Sequence, residues 1–229
     1  MSVLYLVRHG QAAFGTENYD RLTATGLEQC RQLGRHWRGL GRSIPLIFSG
    51  ELERQLHSAA TFASALAGGE TPAPEVVRMA GLAEYDHARL VLAYGQDDPA
   101  RAAPVGLERD RKAFHQHLER ALRAWVAGEI EGFEPFGAFR DRCVAALRAV
   151  MDRVGRGGTA VVFGSAGSLA AAIQPIIGLG DWDLLRLKLN FYNTGVSRLL
   201  FSSSGAVVES INSIAHLEQP GLQHLITQR

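Results

Sequence analysis

Apolar residues cluster into four short runs along the chain, Val3–Val7, Leu46–Phe48, Val76–Met79 and Thr159–Phe163, each followed by a loop or helix-start signal. Runs of that length read as strands buried on both faces. Between them the apolar spacing changes to a helical period. Leu27, Cys30, Leu33 and Trp37 share one face of a helix after Gly26, and Leu52, Leu56, Ala59, Ala63 and Leu66 share one face of the next. Phe139, Cys143, Ala146, Leu147, Val150 and Val154 keep that spacing up to a Gly155-Arg156-Gly157-Gly158 stop, and Leu169–Ile177 is helical again. Towards the end, Gly195–Phe201 and Val207–Ile211 flank Ser202-Ser203-Ser204-Gly205, a hairpin signal. Strands alternating with helices predict an α/β fold, a three-layer α/β/α sandwich around a mostly parallel sheet, with the hairpin as an antiparallel addition. The stretch 88–108, with Gly95, Pro99, Pro104 and mixed charge, departs from this rhythm and reads as a surface excursion with a short helix.

Bulk properties narrow the chemistry. With 229 residues, 46% apolar and 21% charged, the chain suits one well-buried domain spanning 1–229. Twenty-four Lys+Arg against twenty-three Asp+Glu leave a net charge of +1, which predicts neither a nucleic-acid nor a membrane partner; any anion site must be local. No run approaches the roughly 20 apolar residues of a membrane span, and Val3–Val7 is too short for a signal peptide. Cys30 and Cys143 fall on apolar helix faces and read as small core residues, so a reducing cytoplasm is expected. No metal-ligand spacing such as H-E-x-x-H is present, and no cofactor is expected; His115-Gln116-His117 reads as an exposed stretch of helix.

The chemistry is expected at Leu6-Val7-Arg8-His9-Gly10-Gln11, where the first strand meets a loop. A strand C-terminus in an α/β sheet opens onto the ligand crevice, and a neutral imidazole there can attack an electrophile. The guanidinium of Arg8 suggests a phosphoryl group, whose oxygens it would orient by bidentate hydrogen bonds, while Gly10 would let backbone amides approach.

These six residues resemble the signature of the histidine phosphatase superfamily, which includes the cofactor-dependent phosphoglycerate mutases. Further segments follow in the family's order: Tyr19-Asp20-Arg21-Leu22-Thr23 with Gly26 and Gln29, Ser49 through Arg54 to Thr61, Leu82-Ala83-Glu84, and Glu129 to Arg140 at the opening of the late long helix. The resemblance implies a phosphoglycerate mutase-like fold and a small phosphorylated substrate. His9 would be the nucleophile that carries a phosphohistidine, and Arg54 the second phosphate arginine. Glu84 would protonate the leaving alkoxide, which asks for a closed pocket that favours its neutral form. Gln11 and Thr23 would be polar contacts to the phosphate, and 88–108 the insert that covers the pocket. His87 is either a substrate contact or a partner of Glu84, or else an exposed loop histidine beside Asp86.

One position departs from the family's common pattern. After Thr159–Phe163 that pattern is Ser-His-Gly-Gly, with a second catalytic histidine, and here the chain reads Gly164-Ser165-Ala166-Gly167. Ser165 would then offer a hydroxyl, the amides of Ala166 and Gly167 and a helix N-terminus, a weaker anion site than one holding an imidazolium. The resemblance therefore implies a metal-independent phosphomonoesterase of reduced activity. The alternative is a weak or inactive relative that binds a phosphorylated ligand or partner. Phosphoglycerate mutase activity would demand more of this pocket than hydrolysis does. A serine hydrolase reading, Ser165 with Asp181 or Asp183 and His216, lacks the G-x-S-x-G elbow because position 163 is Phe. His216 is a candidate to return to the site, or a core or capping residue.

Overall fold

The computed structural model describes residues 1–13, 20–69, 72–96, 98–104, 107, 110–188 and 190–228. Six strands form one sheet: β1 (Ser2–Arg8), β2 (Leu46–Ser49), β3 (Val76–Arg78), β4 (Thr159–Gly164), β5 (Val196–Ser202) and β6 (Gly205–Ser213), in the order β3-β2-β4-β1-β5-β6. The first four in that order pair in parallel, and β5 and β6 join antiparallel at one side as the expected hairpin. The sheet is thus mostly parallel, and helices cover both its faces.

Alternation along the central strands divides the core. Tyr5 and Val7 of β1, Ile47 of β2 and Val161 and Phe163 of β4 face α1 (Ala24–Gly39) and α2 (Glu53–Ala67), where they meet Leu33, Trp37 and Phe62. The Trp37 ring is tilted against Tyr5 at 4.7 Å and edge-on to Phe62 at 5.2 Å, so the two helices and the sheet share one aromatic cluster. Leu4, Leu6, Phe48, Ala160 and Val162 point the other way, to α5 (Phe136–Val154) and α6 (Ala166–Ile177). Both cysteines are buried as expected, Cys143 on α5 in this half of the core and Cys30 on α1 across the sheet, with burial pushing the Cys30 thiol up to about 11 and the Cys143 thiol to about 12.

Helix starts follow capping chemistry rather than apolar period. α1 begins at Ala24, ahead of Gly26, because the Thr23 hydroxyl accepts the Gly26 N–H at 3.0 Å. Around the departure from rhythm lie α3 (His87–Gly95), a one-turn 3-10 segment at Pro99–Arg101 and α4 (Arg111–Val126). Asp86, read as a neighbour of the acid, caps α3 by accepting the Ala88 and Arg89 N–H groups at 3.0 Å each. Positions 97, 105–106 and 108–109 of this region, and Tyr19 of the first loop, lie outside the described residues. A last helix, α7 (Asp181–Lys188), precedes β5.

Candidate active site

β1 ends at Arg8 beside Gly164 of β4, and Ser49 closes β2 beside Phe163, so the loops leaving three parallel strands open at one end of the sheet. Arg8, His9, Arg54, Glu84 and Ser165 line one cavity there, of about 150 Å³. The five residues come from four places in the fold: Arg8 and His9 from the end of β1, Arg54 from the start of α2, Glu84 from the loop after β3 and Ser165 from the β4–α6 turn.

His9 is buried, 3% exposed, with its main chain fixed on both sides: its N–H donates to Gly164 O at 2.9 Å, and its carbonyl accepts from Asn193 Nδ2 at 3.2 Å. Ring Nδ1 lies 2.7 Å from Gly10 O. A carbonyl only accepts, so Nδ1 carries the proton and the lone pair sits on Nε2. Burial, then the charges of Arg54 and Arg8, hold the imidazole well below its ordinary pKa, against the pull of the Gly10 bond. The ring is therefore neutral at physiological pH, the state a nucleophile requires.

The arginines are held differently. Arg8 Nη1 donates to the carbonyls of Phe191 and Gln228, the latter at 2.6 Å, so main chain from late in the sequence orients it. Arg54, 6% exposed rather than solvated, pairs with Asp20 at 2.6 Å. The same carboxylate accepts the Glu53 N–H at 2.8 Å, so Asp20 both caps α2 and positions its arginine. Gly10 has another use than the expected one. Its N–H donates to Ser58 Oγ at 3.0 Å, and a Cβ here would lie 2.4 Å from Gly26 O, so the missing side chain lets the loop pack on the start of α1.

Glu84 accepts the Gly167 N–H at 2.7 Å through Oε2 and its neighbour's N–H, that of Tyr85, at 3.2 Å through Oε1. The α6 N-terminus thus already holds a carboxylate. Ser165, 2% exposed, accepts from Gln55 Nε2 at 2.9 Å, and its own N–H donates to Ser168 Oγ. Gln55 is itself fully buried and also reaches Leu82 O at 3.2 Å, which ties α2 to the segment that delivers Glu84.

Other expected site residues fall elsewhere. Thr23 donates to Gln11 Oε1 at 2.8 Å while capping α1, and neither side chain lines the cavity. His216 is buried in the core, where its Nε2 meets Thr194 Oγ1 at 2.8 Å, and Asp181 bonds to Gln174 and Arg140. Ser165, His216 and Asp181 therefore assemble no triad. The expectation of an exposed His115-Gln116-His117 stretch is corrected at its two histidines, while Gln116 is exposed: His115 lines the cavity with Phe114 and Leu118, and His117 is buried against Tyr94 at 5.6 Å. One amphipathic face of α4 is the reason, because positions 114, 115 and 118 share a side at helical spacing. His87, at the start of α3, stands edge-on to Phe114 at 6.2 Å; burial lowers its pKa. These side chains line the cavity together with Tyr85 and Glu84.

Lys188 lines the same cavity and was not singled out from sequence. It is 8% exposed, donates to Tyr85 Oη and lies 4.4 Å from the centre of the Tyr85 ring. The available signal was a lysine four residues after Leu184 on an otherwise apolar helix face. Among the described residues no cluster of three or more His, Cys, Asp or Glu side chains is placed to hold a metal, and no helix is long and apolar enough to cross a membrane.

Comparison with known proteins agrees with this fold. The protein named "Probable phosphoglycerate mutase GpmB" from Salmonella newport (strain SL254) is 28% identical over 236 aligned residues, covering 98% of this chain and 99% of its own. The phosphoserine phosphatase of Entamoeba histolytica, solved in complex with 3-phosphoglyceric acid, superposes with a TM-score of 0.64 at 19% identity, over 95% of this chain and 100% of its own. For the α-ribazole phosphatase of Shigella flexneri the TM-score is 0.62 at 21% identity, over 93% and 97%. At such identities the two structures speak for the fold. The family model of the histidine phosphatase superfamily (branch 1) matches residues 4–214, nearly the whole chain, and the protein belongs to that superfamily.

Proposed function

We propose that the protein hydrolyses small phosphomonoesters through a phosphohistidine on His9. The observation that carries this reading is a buried, neutral imidazole whose Nδ1 is committed to Gly10 O, with two arginines close enough to act on its charge. Nε2 attacks phosphorus in line and the P–O bond to the alcohol breaks. Arg8 and Arg54 neutralise the phosphoryl oxygens throughout, the larger part of catalysis in phosphoryl transfer. Glu84 gives its proton to the departing alkoxide. Water then loses a proton to Glu84 and attacks the phosphohistidine, returning Nε2 as leaving group. Because Gly167 N–H occupies Oε2, the less tightly held Oε1 is the oxygen suited to carry that proton.

Ser165 sets the pace in this reading. Its hydroxyl accepts from Gln55 and the Gly167 amide is taken by Glu84, so beyond the arginines this corner offers the phosphate a neutral hydroxyl donor in place of an imidazolium. That favours hydrolysis of esters with good leaving groups over a mutase, which must keep its phosphoenzyme from water. The phosphate charge is met by guanidinium groups, so the reaction is proposed to need no metal. The test is a rapid quench with a radiolabelled aryl phosphate. Label on the protein, stable to alkali, labile to acid and lost in His9→Ala, is expected, with turnover indifferent to a chelator. Purified His9→Ala that hydrolyses the ester at the wild-type rate would overturn the mechanism.

A further inference from the structure

Lys188 is a buried cation whose hydrogen-bond partner among the described residues is a neutral phenol. Tyr85 Oη accepts from Nζ, and no described carboxylate makes an ion pair with it, in contrast to Arg54 and its Asp20. Burying an ammonium without an anion is unfavourable, and the cavity is the side from which one can arrive. Burial pulls Lys188 down to about 8, with Glu84 acting against that fall, so the group is still largely protonated at neutral pH. Its position is well defined. Tyr85 packs on Trp125 at 4.9 Å and on Phe139 at 5.7 Å, a rigid aromatic base, and Lys188 lies over that ring at the end of α7.

The place of this pair relative to the reacting atoms decides what it would meet. Glu84, which stands beside the leaving oxygen in the proposed mechanism, lines the same cavity as Tyr85 and Lys188, and its charge acts on Lys188, so the pair lies on the leaving-group side. His87, Phe114, His115 and Leu118 line the same cavity and contribute no carboxylate.

We propose that Lys188, held by Tyr85, is a specificity-determining residue that binds a second anionic group on the alcohol half of the substrate. The substrate class is then a small phosphomonoester that also carries a carboxylate or a second phosphoryl group. Both are served by the same chemistry, since an ammonium acts as a point charge with three donors and imposes no planar fork. The proposal rests on the phosphate site at His9, Arg8 and Arg54, and its test separates the two.

Binding is measured by titration calorimetry with three non-hydrolysable probes of matched length: propylphosphonate, 3-phosphonopropanoate and propane-1,3-bisphosphonate. Turnover is not needed for any of them. Wild type is expected to bind at least one doubly anionic probe roughly 10- to 100-fold more tightly than propylphosphonate, the factor of a charge-assisted hydrogen bond. Which of the two is favoured identifies the second group. In Lys188→Met the preference should vanish, and in Lys188→Arg it should persist. An equal affinity of wild type for all three probes, or a preference that survives Lys188→Met, overturns the proposal. If instead propylphosphonate binding is absent, or is indifferent to Arg54→Ala, the phosphate site itself has failed and this proposal with it.

Discussion

Lowering the pH from 7 to 5 should destabilise the protein through His216, by an amount the structure sets. Thr194 Oγ1 donates its one proton to Asn193 O at 2.7 Å, so at the 2.8 Å contact with His216 it must accept, and Nε2 carries the imidazole proton. A second proton would have to enter at Nδ1 in a residue 2% exposed. Burial, and then the charge of His36, depress its pKa to about 3. The unfolded chain binds a proton near pH 6.5 and the folded one does not, so stability rises with pH in this window and is lost as pH falls below the unfolded value. Linkage of this one site between the folded and unfolded states gives, with those values, a loss of about 2 kcal/mol between pH 7 and pH 5, and His9, depressed in the same direction, adds to it. The assay is urea unfolding at fixed ionic strength at each pH. His216→Gln keeps an N–H donor for Thr194 and removes the titration, so its stability should fall by about 2 kcal/mol less than wild type over the same interval. Identical pH slopes for the two proteins would refute the reasoning. Because Thr194 N–H also donates to Arg8 O at 3.0 Å, acid loosening should reach the nucleophile's loop, and activity should fall along with stability.

Three further outcomes are expected. Glu84→Gln should reduce kcat for alkyl phosphates by about 10²-fold or more and for 4-nitrophenyl phosphate far less, since only the poor leaving group needs a proton; equal losses in steady-state kinetics would remove Glu84 from the acid role. Ser165→His alone should be poorly tolerated, because Gln55 fills the adjoining space, whereas with Gln55→Ala the added imidazolium should raise kcat and narrow the gap between aryl and alkyl esters. No gain in the double variant would mean that this corner does not face the phosphoryl group. Gly10→Ala should destabilise by about 1–3 kcal/mol in urea unfolding and lower activity, as a Cβ placed 2.4 Å from Gly26 O forces the loop carrying His9 away from α1. A variant as stable as wild type would show that the loop yields without strain.

The sequence by itself determined the frame of this protein. Short apolar runs at Val3–Val7 and Thr159–Phe163 specify buried parallel strands because both faces must be apolar, and a period near 3.6 in α1, α2 and α5 marks their inward faces. Arg8, His9, Arg54 and Glu84 were legible because each stands in a motif, at or after the end of an apolar run, where an α/β sheet opens to ligand. Only the tertiary structure decided what those side chains do to one another. That Nδ1 of His9 is tied to Gly10 O, that Asp20 both caps α2 and holds Arg54, and that Glu84 occupies the α6 N-terminus are consequences of loop paths, which local patterns do not encode. Thr23 and Gln11 carry the right polarity for a phosphate, yet a helix end required the threonine and the threonine engaged the glutamine. Lys188 and Tyr85, 103 residues apart, meet only because α7 folds back against the segment after β3. Sequence periodicity reports which face of an element is inward; whether an inward polar side chain meets a partner, a cap or a cavity depends on what the rest of the chain brings to it.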